Sequence, residues 1–146
     1  MSSEIYVDGS CYPNPGPGAW AYVVYPNYHQ ETAFEENTTN NRMELMAMIK
    51  ALEWAVENDP QANIYSDSKY CVNSFNKWVD GWIEKGETKA NMDLMKSLYA
   101  LKQDFQGKVQ WVKGHNGTYG NEEADMLAEN TRVDNDPLAD PEGLPF

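Results

Sequence analysis

Basic residues are in short supply in this 146-residue chain: 11 Lys and Arg stand against 23 Asp and Glu, a formal net charge of −12. That balance has the wrong sign for a protein that holds a polyanion by charge over its whole surface. Cysteine is scarcer still. Cys11 and Cys71 make a poor disulfide framework for a chain this long and have no zinc-ligand spacing, so both read as free thiols. No apolar run approaches the ~20 residues of a membrane-spanning helix. Met1-Ser2-Ser3-Glu4-Ile5 lacks the basic region and apolar stretch of a secretory leader. The expectation is a cytoplasmic protein with no membrane partner. There is no internal repeat and no sign of a second domain.

What is present is unevenly distributed. Between Lys69 and Lys96, five lysines (69, 77, 85, 89 and 96) outnumber Asp80, Glu84, Glu87 and Asp93. One neutral-to-basic segment on an acidic body can still meet a phosphate backbone, because salt screens the remaining charge beyond ~8–10 Å.

The hydrophobic pattern divides the chain into alternating elements. Ile5-Tyr6-Val7 reads as a strand ending at Asp8, and the Pro- and Gly-rich run Gly9 to Gly18 as a loop. Ala19–Tyr25 and Tyr28–Glu35 read as two further strands, the latter on a sheet edge. From Met43 the period changes: Leu45, Met48, Ile49, Leu52, Ala55 and Val56 mark one buried face of a helix that Asn58-Asp59-Pro60 stops. Ala62–Ser66 is a fourth strand ending at Asp67, and Ser68 caps a helix running toward Trp78. Helical stretches follow at Trp78–Ile83 and over Met92, Met95, Leu98, Leu101 and Phe105, then a fifth strand at Val109–Val112. Asn121 is placed to cap a last helix ending near Arg132. The order β-β-β-α-β-α-α-α-β-α implies an α/β fold, a mixed sheet with helices on its faces. Residues 1–132 read as one domain and 133–146, acidic and containing Pro, as an extended tail.

Asp8 and Asp67 each follow an apolar strand, where open α/β sheets tend to hold ligands. Glu44 and Asp125 each lie near the start of a helix. Each has a plain alternative. An Asp after a strand often begins a turn. Asn41-x-x-Glu44 matches a capping box. Asp125 shares its helical turn with Glu122 and Glu123, the usual complement to a helix dipole.

Their surroundings favour the first reading. Asp8-Gly9-Ser10-Cys11 with Asn14-Pro15-Gly16-Pro17-Gly18, Thr38-Thr39-Asn40-Asn41-Arg42-Met43-Glu44-Leu45, Tyr65-Ser66-Asp67-Ser68, Trp111-Val112-Lys113-Gly114-His115 and Asn121-Glu122-Glu123-Ala124-Asp125 follow in that order. Together they resemble the motifs of the type 1 ribonuclease H family, across residues 5 to about 130. The resemblance implies a ribonuclease H-like fold, a five-stranded mixed sheet flanked by helices on both faces, with the third strand antiparallel. It implies an endoribonuclease that cuts the RNA strand of RNA–DNA hybrids and leaves 5′-phosphate and 3′-hydroxyl ends.

Catalytic carboxylates would then be Asp8, Glu44, Asp67 and Asp125, with His115 as a loop histidine and Asn121 beside the last acid. Four converging carboxylates repel one another, and an all-oxygen set favours two Mg²⁺ ions, with Mn²⁺ as a substitute, over zinc. In this picture Asp8 bridges both ions, Glu44 and Asp67 hold the nucleophile side, and Asp125 serves the other ion. His115 carries protons or aids product release, while His29 is an idle edge-strand residue. The resemblance also places Gly9, Ser10, Cys11 and Asn14 near the minor groove of the hybrid. Thr39, Asn40 and Asn41 can donate to phosphate oxygens from a helix N-terminus, and Lys69 supplies an electrostatic contact. Trp78 and Trp82 pack on a deoxyribose or fill the core, their spacing favouring core for at least one.

The chain departs from many relatives in its protrusion, Trp78 to Asn91, which is short and nearly neutral where theirs is basic. That predicts weak, salt-sensitive binding. Two rival readings are a DNA-cutting relative with the same fold and a binding module without catalysis. The Thr39–Glu44 and His115 motifs argue against the first, and the full set of four acids against the second. A monomer is expected.

Overall fold

Strand β1 (Glu4–Cys11) and strand β2 (Gly16–Tyr25) pair antiparallel along their length, from Glu4 opposite Tyr25 to Cys11 opposite Gly18. The computed structural model describes residues 2–136 and 138. The stretch expected as a loop from Gly9 to Gly18 is therefore mostly ladder, and Asp8 lies within a strand instead of at its end. Pro17 is tolerated because the pairing of β2 with β3 (His29–Thr38) shifts register between Gly16 and Gly18. A proline without an N–H fits at such an irregularity.

After these hairpins come α1 (Asn40–Asn58), β4 (Asn63–Ser66), α2 (Lys69–Asn73), a π-helical turn (Ser74–Trp78) and α3 (Val79–Glu84). α4 (Met92–Lys102), β5 (Lys108–Trp111) and α5 (Tyr119–Asn135) complete the described chain. The sheet order is β3-β2-β1-β4-β5. β4 runs parallel to β1 and to β5, while β2 runs antiparallel to both its neighbours. The reversed strand is thus the second in the chain and not the third. Two successive hairpins turn the chain twice, so β3 regains the direction of β1.

α1 covers one face of the sheet, where Ile5, Val7, Met43, Leu45, Met48 and Leu52 are fully buried, and α4 packs on α1. α5 covers the other face, with Gly120 against the ring of Tyr6. Two side-chain caps mark where helices begin. Thr39 Oγ1 accepts from the Arg42 N–H at 3.2 Å, so Thr39 caps α1 and Asn41 does not. Ser68 Oγ accepts from the Cys71 N–H at 3.2 Å, as expected of an N-cap. α5 begins after Thr118, which places Asn121 inside the first turn, buried, and not at the cap. α5 also continues to Asn135, so residues 133–135 expected in the tail are helical, and the Asp136 N–H donates to the Arg132 carbonyl at 3.0 Å. The remainder of that tail, residues 137 and 139–146, lies outside the described residues. No helix is long and apolar enough to cross a membrane among the described residues.

Candidate active site

Asp8 occupies the central strand, Glu44 the first turns of α1, and Asp67 the position just after β4. Their carboxylates each offer an oxygen within 4.8 Å of the others. Asp8 and Glu44 are each 4 % exposed, far below what a solvated turn or cap residue shows. Burial first, then the charge of Glu44, pushes the Asp8 carboxyl far above the usual carboxylate range. Burial likewise raises Glu44, against the lowering effect of its hydrogen bond with Asp8.

Glu44 is not a capping-box residue. It accepts from the Gly9 N–H, across from helix to strand. The approach needs a glycine, because a Cβ at position 9 would lie 2.5 Å from the Glu44 nitrogen. This approach also explains Gly9 itself: its N–H serves the acid.

Asp67 is held from three sides. Asn121 Nδ2 donates to Asp67 Oδ2 at 3.3 Å, and the Trp111 indole N–H donates to the Asp67 carbonyl at 3.1 Å. Gly114 passes so close that a Cβ there would stand 2.7 Å from Asp67 Oδ2. Trp111 and Gly114 are not among the residues to which the sequence assigns a role in the site. Each lies more than forty positions from Asp67 in the chain, with no local pattern to couple them.

Asp125 stands outside the closest three but near enough to Asp8 to help raise its carboxyl. The other two acids of its turn are committed elsewhere. Glu122 accepts from the Gly117 N–H at 3.4 Å, and Glu123 from the hydroxyls of Tyr25 and Tyr28 at 2.8 and 2.7 Å. His115 sits beside Asp125, its Nδ1 3.9 Å from Asp125 Oδ2. It is exposed on a loop and adopts a left-handed backbone with φ of 54°. His29 stacks on Trp54 and meets the Tyr22 hydroxyl, on the edge strand and apart from this cluster.

Several further residues cluster at the rim. Ser10 Oγ accepts from Arg132 Nε at 2.9 Å, and the Cys11 thiol points to the carbonyls of Pro13, Gly16 and Thr38. Asn14 Oδ1 accepts from the Asn40 N–H at 3.1 Å, tying the β1–β2 connection to the start of α1. That N–H is thereby engaged, and Asn41 is exposed beside it. Lys69 Nζ lies 4.9 Å over the exposed Trp111 ring. Trp82 packs against the core while Trp78 remains 38 % exposed, their rings 5.5 Å apart. Cys11 and Cys71 are unpaired thiols.

Comparison with known proteins assigns the family. The family model for RNase H matches residues 1–132. Ribonuclease HI of Campylobacter jejuni is 45 % identical over 128 residues, covering 86 % of this chain and 87 % of its own. Ribonuclease H of Cupriavidus metallidurans is 44 % identical over 132 residues, with 85 % and 90 % covered. Among solved structures, LC9-RNase H1, described as a type 1 RNase H with the type 2 active-site motif, superposes with a TM-score of 0.78 at 26 % identity. That match covers 89 % of this chain and 71 % of the other. Sheet order and kinship converge, and the chain belongs to the ribonuclease H family of nucleases.

Proposed function

We propose that this protein hydrolyses the RNA strand of RNA–DNA hybrids, leaving 5′-phosphate and 3′-hydroxyl ends, with two divalent cations held by Asp8, Glu44, Asp67 and Asp125. One observation carries the reading. Three carboxylates approach within 4.8 Å although two of them are almost wholly buried. No Lys or Arg pairs with Asp8, Glu44, Asp67 or Asp125 among the described residues. Such a cluster is unfavourable alone and fits a hard cation, and oxygen-only donors suit Mg²⁺, or Mn²⁺ in its place. When bound, such ions neutralise phosphate charge and make water a stronger nucleophile.

The chain's own groups supply the rest. Gly9 fixes Glu44, and Asn121, Trp111 and Gly114 fix Asp67, so the carboxylates are oriented before substrate arrives. His115, exposed beside Asp125, carries a proton to the departing 3′ oxygen. Asn14, Thr39, Asn40 and Asn41 form a polar rim at the start of α1 for phosphate oxygens, and Ser10 and Cys11 line the groove. Lys69 and Trp78 meet the backbone further along. Hybrid shape and the 2′-hydroxyl identify the RNA strand. A monomer in the cytoplasm is part of the same reading, in keeping with two unpaired thiols.

The test is a cleavage assay with Mg²⁺ on a labelled RNA–DNA hybrid, an RNA duplex and a DNA duplex. Cutting confined to the RNA strand of the hybrid supports the reading. Cutting of DNA would assign a DNA-directed nuclease instead, and intact substrates throughout would leave only a binding module.

A further inference from the structure

Arg42 is the charged member of the Thr38–Leu45 motif that the reading above leaves unused. Its Nη1 and Nη2 donate to Asp93 Oδ1 and Oδ2 at 3.0 and 2.7 Å, two parallel bonds between guanidinium and carboxylate. Nη1 also donates to Asn91 Oδ1 at 3.3 Å. Asn91, in a left-handed conformation with φ of 65°, donates through Nδ2 to the Tyr70 hydroxyl at 3.1 Å. One network therefore joins α1 two residues from Glu44, α2 three residues past Asp67, and the start of α4, where the protrusion returns to the body.

Around that return Trp82, Ile83 and Met92 pack against the core, while the tip of the protrusion stands in solvent. A cavity of about 530 Å³ opens between Trp82, Ile83, Met92 and the segment bearing Lys89, so that segment does not rest on close-packed side chains. Residues 84–90 are all exposed. The far end of α4 is tied as well: Lys102 Nζ donates to the Phe75 carbonyl at 2.6 Å and to Asp80 Oδ2 at 3.2 Å. A forked pair fixes orientation as well as distance, which a lysine does not. Arg42 in turn holds the Asp93 carboxyl well below its ordinary range.

We propose that the Arg42–Asp93 pair is a positioning device: it sets the protrusion and its lysines against the carboxylate centre, and so governs hybrid affinity and not the chemical step. This rests on the hybrid being the substrate. A contrary arrangement would give the opposite sign. Arg42 also lines a cavity of about 410 Å³ with Pro15, Thr38 and Thr39, so Asp93 could instead be withholding a cation from a phosphate. Releasing Arg42 would then tighten binding.

The experiment measures kcat and KM on a labelled hybrid for the native chain, Asp93→Asn, Arg42→Gln and the exchanged pair Arg42→Asp with Asp93→Arg. Amide hydrogen exchange over residues 85–93 is followed in parallel. Each single variant should raise KM roughly fivefold with kcat unchanged within about twofold, the size expected for one coupled pair. Exchange over the segment should quicken, and the exchanged pair should restore most of the native KM. Unchanged KM, a lowered KM in Asp93→Asn, or no recovery in the exchanged pair would each overturn the proposal. If Asp93→Asn does not fold, Arg42→Lys keeps the charge, removes the fork, and should raise KM by a smaller factor. A native chain that leaves the hybrid uncut would refute the substrate assignment, while hydrogen exchange would still report whether the pair fixes the segment.

Discussion

Asp8 and Glu44, each 4 % exposed, stand on the central strand and the longest helix, whereas Lys85, Lys89 and the rest of the segment between α3 and α4 lie in solvent. The first region is positioned by the core: a ladder on both sides of β1, fully buried Met43 and Leu45 flanking Glu44, and backbone approaches too close for any residue but glycine. The second is positioned by a few side-chain ties over a cavity. The difference separates two tasks. Groups that must meet reacting atoms are held where small displacements are costly. Groups that meet a long, uniform backbone need only approximate placement, and here even their charge is nearly balanced.

If this division holds, substitutions in the two regions should differ in both size and kind. The largest effect belongs to the clustered acids. Asp8→Asn, Glu44→Gln or Asp67→Asn should each lower kcat by a factor on the order of a thousand or more in a steady-state assay on the hybrid. Folding should survive: Asp8→Asn removes a charge from a crowded, buried cluster, so it should melt at least as high as the native chain in chelator. A marked fall in its melting temperature would show that the acid serves structure.

Next come the residues that hold Asp67. Asn121→Ala and Gly114→Ala should each weaken cation affinity or activity by roughly 10–100-fold, as expected when a group that orients a metal ligand is removed or crowded. Titration calorimetry with Mg²⁺ distinguishes this from a folding defect. Equal affinity in both variants would break the comparison at its rigid end.

In the soft region the effects should be a few-fold and confined to KM. Lys85→Ala and Lys89→Ala should each raise KM modestly and flatten the dependence of log affinity on log salt by about one unit for each phosphate no longer neutralised. Binding that is tight and indifferent to salt would contradict the weak, electrostatic hold that a net charge of −12 predicts.

The smallest effect is a pH dependence. Asp93 is held down to about 2, chiefly by its hydrogen bond from Arg42. A depressed carboxyl contributes stability that is present above its unfolded value, near ~3.9, and lost as pH falls through the folded one. The acid limb of the native stability curve should therefore be slightly steeper than that of Asp93→Asn between about pH 4 and pH 2. The effect is small because the Asp93 side chain is 63 % exposed. A carboxyl titrating in its ordinary range by NMR would show that the pair does not persist in solution.

The same division explains what is legible in the sequence. Element order is legible throughout, because the strand and helix periods of Ala19–Tyr25 and Leu45–Val56 are local. Ser68 is legible as a cap for the same reason. Thr39 and Asn41 compete as caps within one polar run, and only the register of α1 against Gly9 decides for Thr39. The four acids stand out through the motifs around them, while the burial of Asp8 and Glu44 and the grip of Trp111 and Gly114 on Asp67 depend on residues far apart in the chain. Asn121 resembles a cap because its chemistry suits one. The helix starts earlier, at Tyr119, and so turns that amide onto Asp67.

The central claim is that four converging carboxylates form a cation-dependent site for cutting RNA paired with DNA. Its most direct test is the rate of RNA-strand cleavage in a hybrid as Mg²⁺ is raised from a chelated solution, for the native chain and Asp8→Asn side by side. No cleavage in chelator, a saturable rise for the native chain and none for the variant are the results predicted. Cleavage that persists in chelator, or in Asp8→Asn, would contradict the claim.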